Sequence, residues 1–241
     1  MAPERGSTPA TAQVPVPPWA VTPARRAKRA GRPPLDRDRI VAAALRIVDD
    51  EGADALSLRR LAEALGVTPM SIYWHVRDKA ELLELVGETV LGEIEIPPAR
   101  GDWREQLRDL HRAMLVVLLR HPNTLDALIG RARFGAAGVR MFERLLSILL
   151  GAGLAPAAAF DAYMVLYEYL LGFAAVANRT PQFREIQQQG VLYLLSLPAD
   201  GFPSIATVAP MIGRHSLEQQ FETGLVALIE GIGSAMPPDA V

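Results

Sequence analysis

Between Arg59 and Lys79 the chain collects side chains suited to a charged duplex with readable edges. Ser71 and His75 can hydrogen-bond base edges or phosphate oxygens. Met70, Tyr73 and Trp74 can pack on sugars or thymine methyls, while Arg59 and Lys79 carry positive charge for phosphates. Thr68 stands at the start of the same segment as its N-cap. Asp78 is placed to cap the next helix, whose free N–H groups and positive dipole end suit a phosphate.

Two short helices must hold these groups. Leu58, Leu61, Ala62 and Leu65 recur at i, i+3, i+4 and i+7 and make one apolar stripe. Gly66 ends that helix, and Pro69 opens the next at a position where its missing N–H costs nothing. Ile72 and Val76, with Tyr73 at the edge, form the second stripe, leaving Met70, Ser71, Trp74 and His75 outward. Such a helix-turn-helix can present its second helix to a DNA major groove. An ordinary helical hairpin has the same pattern.

The string LGVTPMSIYWHVRDKAELLELV closely resembles the DNA-binding domain of the tetracycline-repressor (TetR) family. In the branch around the tetracycline repressor, YWHV followed by a basic residue and a lysine is characteristic. The resemblance covers Leu35 to about Ile96, and beyond that only the helical layout. It implies that Arg59, Ser71, Tyr73, Trp74, His75 and Lys79 contact DNA. Leu58 departs from the pattern, standing where that branch has a polar residue.

Composition is compatible with this. The 241 residues are 50% hydrophobic, enough for a sizeable core in one or two domains. With no cysteine, neither disulfides nor thiolate metal sites can form. No uninterrupted apolar run reaches the roughly 18 residues needed to span a bilayer, and the N-terminus lacks the apolar stretch of a secretory signal. These features point to a cytoplasmic protein without a membrane partner. The net charge of -2 hides a local excess: Arg25, Arg26, Lys28, Arg29 and Arg32 fall between Ala24 and Pro34 with no acidic residue among them. Residues 1–34 are otherwise rich in Pro, Ala and Thr and are expected to be a disordered arm whose basic end reaches phosphates or the minor groove. A solvated charge run is the alternative.

An all-α chain follows. Residues 35–96 form the DNA-binding domain: a first helix over Asp36 to Glu51, the helix-turn-helix pair, with Ser57 capping its first helix, and a fourth helix to Ile94 that joins the reader to the rest. Pro97, Pro98 and Gly101 mark a boundary. Residues 97–235 are expected to be a helical ligand-binding and dimerisation domain, with a long connection between Thr180 and Gly213 holding a turn or two of helix near Val191 to Leu197. Residues 236–241 are a tail.

Two helices in this second domain are too apolar for a monomer surface. On them Leu170, Phe173, Phe221, Gly224, Leu225 and Leu228 are the expected dimer contacts, the alternative being an intramolecular core. His111, Asn123, Phe134, Tyr163 and Tyr167, with Arg131 and Arg133 near, are the candidate lining of a small-molecule cavity. Each alone is equally a satisfied core residue. No metal-ligand spacing, phosphate loop or nucleophile motif occurs, so no cofactor and no enzyme activity are expected. The family resemblance implies a homodimeric repressor that binds a palindromic double-stranded operator and is released when a small-molecule effector moves the Asp78 to Ile96 helix. Two alternatives remain open: a regulator without an effector, and a helical carrier protein with a merely structural hairpin.

Overall fold

The structure, a computed structural model, describes residues 35–129, 134–178, 181–212 and 216–234, with the backbone alone over 181–187. The basic run Arg25 to Arg32, Arg131 and Arg133 lie outside the described residues. All regular elements among those described are helical. In order they are α1 (Arg37–Glu51), α2 (Leu58–Leu65), α3 (Pro69–Tyr73), α4 (Lys79–Gly92), α5 (Trp103–Arg120), α6 (Leu125–Ile129), α7 (Ala136–Gly151), α8 (Pro156–Ala177), α9 (Pro181–Leu195), α10 (Pro203–Val208) and α11 (Leu217–Ser234).

Local chemistry sets the starts of the early helices. Asp36, Ser57 and Asp78 each accept the backbone N–H three residues on, from Arg39, Arg60 and Glu81. Gly66 closes α2 at φ 63, a left-handed backbone that favours glycine. Thr68 holds the N-cap position of α3 but makes no side-chain cap bond; its hydroxyl instead lies 3.0 Å from that of Ser71.

Apolar side chains form two cores. The first gathers Ile40, Ala44, Ile47 and Val48 of α1 with Leu61, Ala62, Ile72 and Val76. The second takes Leu107, Leu110, Met114 and Leu118 of α5, Met141, Leu145 and Leu149 of α7, Leu166 and Leu170 of α8, and Phe221, Leu225 and Ile229 of α11. Helix α4 belongs to both: Leu82 and Val86 fill the first core, while Val90, with Ile94 just beyond the helix, fills the second. Its apolar positions continue at helical spacing through both cores.

Two expectations are corrected here. The span between Thr180 and Gly213 is mostly helical and not a long connection with a turn or two of helix: Pro181 and Pro203 begin α9 and α10, at a position where the missing N–H costs nothing. The 22-residue α8 is, by length and composition, apolar enough to cross a membrane, at mean hydropathy 1.3, although Asp161 and Glu168 interrupt its apolar run. It packs instead between α5, α7 and α11. Finally, four of the expected dimer contacts are covered within one protomer: Leu170, Phe221 and Leu225 are buried, and Phe173 packs edge-on against Phe221 at 5.0 Å. Gly224 serves the same cluster, since a Cβ there would collide with the Tyr169 ring, whose hydroxyl donates to the Phe221 carbonyl at 2.8 Å. Leu228 is half-buried against that core. Outward on α8 lie the small and apolar Phe160, Val165, Gly172, Ala175 and Val176 beside Asp161 and Glu168, and on α11 Ala227 and Gly231 beside Thr223 and Glu230.

Candidate DNA-reading surface and effector cavity

The exposed face of α3 and its following turn is built by one buried residue. Ile72 is fully enclosed in the first core and fixes the rotation of the helix. Met70, Tyr73 and Trp74 are thereby left 66, 55 and 60% exposed, side by side on one short helix and its C-cap. Ser71 and His75 are half-buried along the same edge, and Thr68 is exposed at its start.

The cations around this edge divide into free and committed. Arg59 stands out with 86% of its side chain exposed, held only by Glu63 one turn on, whereas Arg60 is tied to Glu51. Lys79 donates to the Asp54 carbonyl at 3.3 Å, which holds its ammonium beside the α1–α2 connection with two donors to spare. Leu58 packs against the first core, so its departure from the family pattern is a packing position. Behind the surface, the Glu81 carboxylate is nearly buried and ties Arg37 of α1 to Arg77 of the α3–α4 turn, fixing where α4 begins.

A cavity lies in the second core. It is lined by Leu91 and Ile94 from the α4 end, Met114 and Leu118 of α5, Leu128 of α6, Gly138, Met141, Phe142 and Leu145 of α7, and Tyr163, Tyr167, Leu170 and Leu171 of α8. Over positions open to a water-sized centre its volume is about 40 Å³, room for roughly three waters. Tyr163 and Tyr167 stack at 5.7 Å, and Phe142 tilts onto Tyr163 at 4.5 Å, so one wall is aromatic. The Tyr167 hydroxyl is buried there without a hydrogen-bond partner.

Of the five residues expected to line the cavity, Tyr163 and Tyr167 do. His111 does not: it is fully buried elsewhere in α5's inner stripe, with Nδ1 2.7 Å from the Leu107 carbonyl and Nε2 unpartnered. Burial in hydrocarbon pushes its pKa down to about 4, with the Leu107 bond opposing, so the ring is neutral at physiological pH. Asn123 is exposed and donates to the Asp49 carbonyl of α1 at 2.9 Å, and Phe134 is 46% exposed; neither reaches the cavity. Helical period could not place these two, because both lie in turns.

Missed by sequence reading were the side chains that join the cavity to α4. Glu88 of α4 accepts the Ala137 amide at 2.6 Å and so caps α7, whose own N-cap residue Gly135 has no side chain to do it. Phe142 carried no polar signal, and periodicity alone was the available clue.

Comparison with known proteins extends over most of the chain. The family model described as "Bacterial regulatory proteins, tetR family" matches residues 40–86, and that described as "Tetracyclin repressor-like, C-terminal domain" matches residues 97–236. The HTH-type transcriptional repressor DrrR1 of Streptomyces coeruleorubidus is 36% identical over 152 residues, which are 62% of this chain and 56% of that relative, so the match spans little more than half of its length. The HTH-type transcriptional repressor Rv1353c of Mycobacterium tuberculosis is 30% identical across 88% of this chain and 85% of its own. Among solved structures, the Streptomyces coelicolor TetR family protein ActR in complex with actinorhodin superimposes with a TM-score of 0.77 at 35% identity, covering 86% of this chain and 99% of ActR.

Proposed function

From the premise that the chain belongs to the TetR family of bacterial regulatory proteins, which are DNA-binding transcription regulators and not enzymes, we propose that it is a homodimeric repressor released from its operator by a largely apolar, ring-bearing ligand. Such a regulator acts on the chromosome in the cytoplasm. The division at Pro97 then separates a reader, residues 35–96, from a ligand-binding and dimerisation unit. The outward small and apolar faces of α8 and α11 supply the contact between protomers and set the spacing of two α3 helices on a palindromic site.

On the DNA, Ser71 and His75 lie nearest the base edges. Met70, Tyr73 and Trp74 pack on sugars and thymine methyls, Arg59 and Lys79 hold phosphates, and Thr68 supports the entry of α3. Arg25, Arg26, Lys28, Arg29 and Arg32 add affinity by displacing condensed counterions.

The observation that carries the effector half of the reading is the Tyr167 hydroxyl. A buried hydroxyl without a partner costs about 1–3 kcal/mol, and this one belongs to a residue that lines a cavity walled by hydrocarbon and aromatic rings. A planar ligand with one acceptor oxygen satisfies it and stacks on Tyr163. The cavity is too narrow for a ring system as it stands, so such a ligand must push its walls apart. Two of those walls, Leu91 and Ile94, belong to the α4 end. A ligand that prefers the widened arrangement therefore biases the setting of α4 and of the reader beyond it. The complex of ActR with actinorhodin supports this ligand class.

The test is binding of the DNA upstream of the protein's own gene, by fluorescence anisotropy, with actinorhodin as the probe ligand. The wild type binds and is released by the probe. Tyr167→Phe, which removes one oxygen, binds DNA equally well and needs at least tenfold more probe. Release of both proteins at equal concentrations removes Tyr167 from the site, and failure of the wild type to bind DNA overturns the reader assignment.

A further inference from the structure

His121 follows the last residue of α5 and is one of the few polar side chains buried among the described residues, at 7% exposure. Its ring meets a carboxylate on each side. Nδ1 lies 3.0 Å from both carboxylate oxygens of Asp49, near the end of α1, and Nε2 lies 3.1 Å from Glu93, the residue that ends α4. Each ring nitrogen thus faces a carboxylate within hydrogen-bonding distance. Neighbours reinforce the corner: Arg120 pairs with Glu93 at 2.9 Å, Asn123 donates to the Asp49 carbonyl, and Thr124 donates to the His121 carbonyl at 2.8 Å. Asp49 and Glu93 are 72 and 28 residues away in the chain, so no local helical requirement explains the arrangement.

Place this corner on the path from cavity to reader. Glu93 sits between Leu91 and Ile94, the two α4-end residues that line the cavity. Asp49 sits on α1, which packs on α4 and on α2. An outward push on Leu91 or Ile94 thus acts next to the Glu93–His121 contact, and α1 is held to the same imidazole from the other side. We propose that His121 is the pivot that fixes the angle of the DNA-reading unit to the effector unit: a positioning residue that confines α1 and α4 to one setting until the cavity is widened. The proposal adds to the function above but does not require its ligand or its operator.

The absence of cysteine allows a direct measurement. Spin labels are attached to an otherwise cysteine-free chain at Ala64→Cys on α2 and Val116→Cys on α5, both exposed positions. Labelled chains are diluted with unlabelled protein, so that distances within one chain dominate. The original protein gives a narrow distribution of distances between reader and effector unit. His121→Phe, which keeps a ring and loses both nitrogens, at least doubles its width. Glu93→Gln and Asp49→Asn each widen it by less, and neither adds to His121→Phe when combined with it. His121→Gln, able to reach one carboxylate, falls between. A melting-temperature loss with unchanged width in His121→Phe makes the residue mere packing and overturns the proposal. If that variant does not fold, unchanged widths in Glu93→Gln and Asp49→Asn overturn it equally. Neither DNA nor effector enters the measurement, so its failure is separate from any failure of the repressor reading.

Discussion

Tyr73 and Trp74 stand in solvent at the tip of a five-residue helix, whereas Phe142, Tyr163 and Tyr167 close on one another around a cavity some helices away. Both groups are aromatic residues on helices with Leu, Val and Ile beneath them. In the reader, Ile72 holds the surface helix, and its large rings face out. In the effector unit the helices are apolar around most of their circumference and the rings are enclosed. The contrast teaches that an exposed ring marks a partner supplied from outside, while an enclosed ring marks a partner only when a polar atom beside it is left unsatisfied, as at Tyr167.

The comparison breaks first if an enclosed ring proves to be an interface residue. Phe221 is 2% exposed in one protomer, so Phe221→Ala costs about 3–5 kcal/mol of folding stability in urea titrations at fixed protein concentration. A change confined to the dimer dissociation constant would return it to the interface.

His111 carries the next largest effect. Its folded pKa of about 4 lies below the usual 6.5, so as pH falls the unfolded chain takes up the proton first. Stability is therefore whole above about pH 6.5 and declines towards pH 4, by about 3 kcal/mol for this residue if the folded ring takes no proton in that interval. Comparing the pH dependence of urea unfolding for the wild type and His111→Leu checks it: the variant lacks this part of the acid slope. Equal slopes would show that the ring is not buried neutral.

For the exposed rings the expected loss is in binding alone. Trp74→Ala weakens operator binding by about 1–3 kcal/mol, while its stability stays within about 0.5 kcal/mol because the side chain is 60% exposed. A large drop in melting temperature would move Trp74 to the structural side of the comparison. The smallest expected change is at Lys79: Lys79→Ala lowers the salt dependence of binding by about one in log–log slope and weakens all sequences alike. An unaltered slope would leave its ammonium committed to the Asp54 carbonyl even on DNA.

Much of the reader was legible because its determinants are local. Asp36, Ser57 and Asp78 cap helices three residues ahead of the N–H groups they accept, and Gly66 meets a backbone need within the same turn. In the effector unit the same period recognised Phe221, Leu225 and Leu170 as apolar faces but did not say whether α5 and α7 or a second protomer would cover them. Two prolines hid helices because a residue that ends one helix also begins another well. His121 left no trace in any window, since both its partners arrive from distant helices.

Helix α4 is riveted into both cores. Amide protons of α1 exchange slowly only while α4 keeps its place, so a molecule that widens the cavity beneath Leu91 speeds their exchange. By reciprocity, DNA held at α3 slows exchange along α4 and the cavity wall. Reader and cavity keep a single clock for opening, and occupancy at either end sets its rate.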